Sequence, residues 1–274
     1  VFPRRTKATP TDELAFVGEP PLLRPEADEV HVSVTFTWDR DEGERLARSW
    51  GRYYPKVRLG GPAFNDAGGE FVPGRYLKPG YVITSRGCPN GCSFCFVPRR
   101  EGHLRELPIT EGWDVCDNNL LACSRPHLDA VFEMLRGQKR AARLSGGLDV
   151  SRIDHRIVAD LQSLRIDALW LAYDNPRSCF ASQVADAICR LRQAGLTRDQ
   201  VNCFVLIGYG TDTPAEAEAR CLEVVEWGGL PFAMLYRNEE AKDHARDLEW
   251  RRLQSRWCRP ARSKARAREL GWRA

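Results

Sequence analysis

Apolar residues recur along this chain at two periods, and the period changes from one segment to the next. In residues 29–38, Val30, Val32, Val34 and Phe36 alternate with other residues and share one face of a predicted strand. In residues 41–50, Leu46, Ala47 and Trp50 return at helical spacing, and residues 57–63 read as a second strand ending in a glycine turn. Ahead of this unit, Pro3, Pro10, Pro20, Pro21 and Pro25 exclude a long helix, so residues 1–27 are expected to form an extended arm. Beyond it the two periods alternate. Strands are predicted at 81–84, 114–121, 141–144, 166–173, 201–209 and 231–236. Helices are predicted at 125–138, 151–164, 182–194 and 213–227. Leu128, Val131, Phe132 and Leu135 mark the apolar face of the first. Ser151 and Asp154 supply start signals for the second, Gly195 closes the third, and Thr213 with Glu216 makes a capping box for the fourth.

Strands separated by helices imply a parallel sheet. The expected fold class is therefore α/β: a partial (β/α)6 barrel over 76–240, a small α/β extension over 28–75 and a basic helical tail over 241–274. In such folds the carboxyl ends of strands carry the chemistry. Cys88, residues 117–119, Asp174 with Asn175, and residues 208–210 all fall at predicted strand ends.

Charge and composition change this picture little. A net charge of +4 singles out no partner. No run of about 18 apolar residues occurs, so no membrane span is expected. The first residues lack an apolar secretory core, and ten cysteines without one suit a reducing cytoplasm. The tail is locally basic, with Arg251, Arg252, Arg256, Arg259, Arg262, Lys264, Arg266, Arg268 and Arg273 around Trp250, Trp257 and Trp272. Two readings stay open: contact with nucleic acid through phosphate pairing and base stacking, or a helix whose tryptophans pack inward.

The densest chemistry lies between residues 81 and 100. Cys88, Cys92 and Cys95 stand at C-x3-C-x2-C spacing in a loop after a β-branched run. Cysteine thiolates hold iron–sulfur clusters, and three of them leave one iron of a four-iron cluster open. Zinc, the competing reading, prefers four ligands in paired short spacings, and no second pair exists here.

The run Cys-Pro-Asn-Gly-Cys-Ser-Phe-Cys resembles the signature loop of the radical S-adenosylmethionine superfamily, with Phe94 as the aromatic before the third cysteine. Ser-Arg-Gly before Cys88 and Val-Pro-Arg-Arg-Glu-Gly after Phe96 resemble the cobalamin-binding-type branch of Fe–S oxidoreductases. The resemblance covers roughly residues 59–237. It implies a [4Fe-4S] cluster on Cys88, Cys92 and Cys95, with S-adenosylmethionine chelated at the open iron and cleaved to a 5′-deoxyadenosyl radical. A flavodoxin- or ferredoxin-type reductant is implied as partner. Phe94, Phe96 and Val97 would border the adenine, and Asp117 would pair the methionine ammonium with help from Asn118 and Asn119. Tyr173 and Asp174 would reach ribose and carboxylate, and the backbone of Ile207 and Gly208 would run along the adenine. The 28–75 unit resembles the closing part of a cobalamin-binding domain. It lacks Asp-x-His-x-x-Gly, so cobalamin is not expected.

No catalytic residue is assigned. Cys189, Cys203 and Cys221 are expected in the core, and Cys116 lies beside the proposed site. Arg99, Arg100 and His103 face either an anionic substrate or solvent. The substrate is a nucleic acid or nucleobase, or else a small metabolite or peptide. The reading from another class is a non-enzymatic iron–sulfur or zinc module that associates with nucleic acid.

Overall fold

The computed structural model describes residues 1–64, 76–174, 178–237, 248–258, 260–269 and 271. A β–α–β unit comes first: β1 (Val30–Ser33), α1 (Arg40–Trp50) and β2 (Val57–Gly60), with β1 and β2 parallel. The first strand is shorter than its alternation predicts. Val34 still donates to the Gly60 carbonyl at 2.9 Å, but a 3-10 turn at Thr37–Asp39 then swings the chain into α1. Val32, Val34, Leu46, Trp50 and Ala63 form a core of their own here. The N-terminal arm is free of helix, as its prolines require, and lies against this unit. Phe2 is buried and bridges Val17, the Trp50 indole donates to the Gly18 carbonyl at 3.0 Å, and the Tyr54 hydroxyl donates to that of Pro25 at 2.6 Å.

The remaining elements follow in order: β3 (Tyr81–Val82), β4 (Ser85–Arg86), α2 (Val97–Arg100), β5 (Arg105–Glu106), β6 (Asp114–Val115), α3 (Arg125–Gly137) and β7 (Ala142–Leu148). Then come α4 (His155–Gln162), β8 (Ile166–Tyr173), α5 (Ser178–Gln193), β9 (Val201–Ile207), α6 (Pro214–Glu226), β10 (Leu230–Leu235), α7 (Leu248–Trp257) and α8 (Pro260–Glu269). Six strands make one sheet in the order β10-β9-β8-β7-β6-β3, and every neighbouring pair is parallel. The fold is α/β. Strand order follows chain order, so successive right-handed crossovers stack their helices on one face. On that face Leu169, Leu171, Val201, Val205 and Ile207 are fully buried with Val184, Ile188, Leu191, Val224 and Val225. Each such side chain contributes roughly 1.5–3 kcal/mol by leaving water. The opposite face carries half-buried rings, with Trp170 6.1 Å from Phe204 and Phe204 5.8 Å from Phe232, centroid to centroid.

Start signals decide several boundaries. Thr213 and Glu216 form the capping box of α6, with Pro214 in its first turn. At α4 the cap is Asp154, which accepts from the Ile157 amide at 2.8 Å; Ser151 lies in a preceding 3-10 turn instead. The strand predicted at 141–144 runs on to Leu148 through Gly146 and Gly147, where its register shifts. That at 114–121 ends at Val115, because the following residues bend towards the cysteine loop. Cys203 and Cys221 are core thiols as expected, whereas Cys189 is exposed on α5. The tail forms two helices. Trp250 and Trp257 are buried, so neither is available to stack on a base, and Trp272 lies outside the described residues. No helix among the described residues is long and apolar enough to cross a membrane.

Candidate metal centre

The cysteine loop is closed at its base by local pairing. β4 and β5 are antiparallel, with Ser85 opposite Glu106 and Arg86 opposite Arg105. The Leu107 amide donates to the Thr84 carbonyl at 2.9 Å. Arg86 and Glu101 form a largely buried ion pair across this neck, one bond of which is 3.0 Å. Gly87 has φ +83° and sits so close to the His103 carbonyl that a Cβ would overlap it. Only glycine satisfies both conditions. Beyond the cysteines the first crossover helix is the single turn α2, in keeping with the short segment that the sequence leaves for it.

Cys88, Cys92 and Cys95 are free thiols, the first and last half-buried and the middle one exposed. Two backbone amides point at sulfur: Asn90 N–H lies 3.4 Å from Cys88 Sγ, and Val97 N–H 3.4 Å from Cys95 Sγ. Burial raises the Cys92 and Cys95 thiols above the usual range. Their neighbours add to this, Cys95 and Asp174 acting on Cys92, Cys88 and Asp174 on Cys95. Three thiols that feel one another, with amides directed at sulfur, fit the donor chemistry of an iron–sulfur cluster. Among the described residues no three His, Cys, Asp or Glu side chains are already gathered as a metal-holding group. Loading therefore requires the loop to draw its thiols together and release their protons.

Residues 117–119 hold this loop. The Asp117 carboxylate is buried and occupied: it accepts from the Thr84 amide and hydroxyl, both at 2.6 Å, and from the Ser85 hydroxyl at 2.7 Å. Burial raises its pKa, and these bonds oppose the rise. It is thus turned away from any methionine ammonium and ties β6 to the stem of the loop. Asn118 Oδ1 accepts from the Gly87 amide at 2.9 Å. Asn119 Nδ2 lies 3.4 Å from Cys88 Sγ and 3.4 Å from Asp149 Oδ2. Asp149, the residue after β7, also accepts from the Asn90 side chain at 2.9 Å and from Ser151. Burial pushes its pKa up, but the bonds from Ser151, Asn90 and Asn119 prevail and hold it below the usual range.

The other predicted residues divide in the same way. Phe94 meets Tyr209 edge-on at 5.7 Å, and Phe96 lies under Arg99 and Arg100 at 5.3 and 5.7 Å. Val97 begins α2. Asp174 follows β8 at the same edge of the sheet; burial alone raises its pKa to about 7. Tyr173 belongs to the helix layer instead. It is buried, donates to Glu223 at 2.8 Å and packs on Trp227, so it cannot meet a ribose. Ile207 is fully buried, and its carbonyl accepts from the Tyr236 amide at 2.9 Å. The Gly208 amide is taken by Asp212 at 2.8 Å, and Asp212 is locked in turn by the buried Arg220. Neither backbone group is open to an adenine. Asn175 lies outside the described residues. Cys116 is half-buried, its thiol directed at Asp114 and its pKa pushed up to about 12 by burial.

Sequence reasoning missed Asn90, Asp149 and the Arg86–Glu101 pair. A signal existed for Asp149, a carboxylate directly after an apolar strand. Comparison with protein-family models and with curated proteins finds no match to this chain.

Proposed function

We propose that this protein is a radical S-adenosylmethionine enzyme whose sheet forms the wall of a partial (β/α)6 barrel. The observation that carries the reading is the loop of three free cysteines at the carboxyl edge of a parallel sheet, held there by Asn118, Asn119 and Asp149. Chain-order parallel strands support the barrel, and the single-turn first helix departs from its regular pattern. Cys88, Cys92 and Cys95 would hold the cluster, leaving one iron for S-adenosylmethionine. When bound, a [4Fe-4S] cluster supplies the electron that cleaves the sulfonium reductively.

The chain's own residues have defined tasks in this reading. Asn119 and the amides of Asn90 and Val97 direct hydrogen bonds at the sulfurs, which favours the more negative, reduced state. Phe94 and Tyr209 form an apolar wall that screens the site from water on the β9 side. Asp174 offers a carboxyl group near the thiols that has no hydrogen-bond partner among the described residues, a suitable acceptor for a ligand ammonium or hydroxyl. Asp117 acts at one remove by fixing Thr84 and Ser85. A flavodoxin- or ferredoxin-type protein is the expected electron source.

The test is anaerobic reconstitution with iron and sulfide, beside a Cys88→Ala control. Iron content, visible absorption and the paramagnetic resonance of the reduced protein report the cluster independently of turnover. Release of 5′-deoxyadenosine from S-adenosylmethionine under dithionite, absent from the control, is the expected result. A protein that takes up zinc and assembles no cluster overturns the proposal.

A further inference from the structure

An aromatic path leads from the cysteine loop to the N-terminal unit. Phe94 meets Tyr209, and Tyr209 meets Tyr236 at 4.8 Å. The next residue, Arg237, sets its guanidinium 5.0 Å from the ring of Trp38, which stacks on Phe36 at 4.7 Å with 10° between planes. Trp38 is 49% exposed, although it is the largest apolar side chain type. Arg237 is exposed just past the carboxyl end of β10. Beside the cysteines, Arg99 and Arg100 lie against Phe96. Among the described residues none of Arg99, Arg100 and Arg237 has an ion-pair partner, and Arg100 Nε is buried with no acceptor. Burial of Arg100 lowers its pKa, and the nearby cations Arg40 and Arg86 act with it against Glu101.

Cations with unmet acceptors beside the cysteine loop, and an exposed flat ring linked to it through Tyr209, Tyr236 and Arg237, suit one ligand chemistry best. Phosphate oxygens accept from guanidinium groups, and a nucleobase stacks on an indole. A small acid or acidic peptide would use the arginines and leave Trp38 idle. The tail offers charge of another kind. A cleft of about 650 Å³ is lined by Arg252, Arg256, Arg262 and Arg266, but Trp250 and Trp257 are buried, so among the described residues it has no ring to present.

We infer that the rim formed by Trp38, Arg237, Arg99 and Arg100 binds a phosphorylated nucleoside unit, its base against Trp38 and its phosphate among the arginines. The unit is a free nucleotide or one residue of a single strand. The inference rests on reading the cysteine loop as the reaction centre, and it names the class of substrate presented there.

Binding tests it without turnover. The full chain and its Cys88→Ala variant are titrated into a labelled single-stranded oligouridylate and followed by fluorescence anisotropy over a range of salt. Both are expected to bind equally. Trp38→Ala should weaken binding about tenfold with little change in salt dependence, and Trp38→Phe should recover most of the loss. Arg237→Ala and Arg99→Ala should each lower the salt slope by about 1. Competition by uridine monophosphate at concentrations similar to the strand's assigns the free nucleotide as ligand; competition by the strand alone assigns the polymer. Absence of binding at low salt, unchanged affinity in folded Trp38→Ala, or losses confined to Arg252→Ala and Arg256→Ala overturn the inference. Binding with this pattern but no 5′-deoxyadenosine from the loaded protein refutes the radical reading and leaves the rim. Turnover without such binding refutes the rim alone.

Discussion

Asn119 Nδ2 lies 3.4 Å from Cys88 Sγ, which makes a side chain at the end of β6 a partner of the first cysteine of the loop. The same amide reaches Asp149 at the end of β7, so one side chain ties the loop to a second strand end. A hydrogen bond to sulfur stabilises the reduced cluster. Replacing Asn119 with Ala removes a bond of about 1 kcal/mol, equivalent to about 40 mV for a one-electron couple. Redox titration of the reconstituted variant, monitored by paramagnetic resonance, should show a midpoint lower by that order. An unchanged midpoint would mean the contact is lost on loading.

The neck of the loop gives a second prediction. Arg86 and Glu101 keep only 13% and 8% of their side-chain surface. Glu101→Gln leaves a buried guanidinium without its carboxylate, a change that typically costs about 3–5 kcal/mol. The contrasting pair, Arg45 with Glu42, is roughly half exposed and helical, and Glu42→Gln should cost under about 1 kcal/mol. Urea denaturation of both metal-free variants measures the difference.

Asp174 sets a pH dependence. Its folded-state pKa of about 7 lies above that of an unfolded aspartate, so the folded chain retains the proton longer. Stability present below about pH 4 is therefore lost as pH rises towards 7 and stays lost above it. Asp174→Asn abolishes this slope. Between pH 5 and 7.5 the variant should gain about 1–2 kcal/mol on the wild-type chain in paired metal-free urea titrations. Parallel pH profiles would refute the burial of that carboxyl.

Gly146 supplies a steric test. A Cβ there would overlap the Asp117 carbonyl oxygen, which is backbone and cannot swing aside. Gly146→Ala should cost about 1–3 kcal/mol. It should also lower iron uptake, because residues 117–119 carry the bonds to the loop. Gly137→Ala, where a Cβ meets nothing within 4 Å, is the control and should reconstitute normally.

The elements that follow local rules were legible in the sequence. The strand at Ile166–Tyr173 has the predicted bounds, because eight residues of unbroken β pattern leave no competing period. The α6 capping box came from neighbours in the chain in the same way. Long-range contacts were not legible. Asp117 stands at a strand end, as a ligand-binding carboxylate would, and only the fold brings Thr84 from 33 positions away to occupy it. Tyr173 and Ile207 fail as ligand contacts for a related reason: alternation along a strand says that two faces exist, not which one looks into the site. The strand predicted at 141–144 runs on through Gly146, where the Asp117 carbonyl leaves no room for a Cβ.

All partners of the neck, from Thr84 to Leu107, are close together in the chain. A ribosome would therefore deliver the whole cysteine segment, already able to close on itself, before β7 to β10 exist. Asn118 and Asn119 emerge shortly afterwards, and Asp149 arrives last among the residues that grip the loop. During synthesis the nascent chain thus exposes a closed but unanchored thiol loop, and completion of β7 ends that interval.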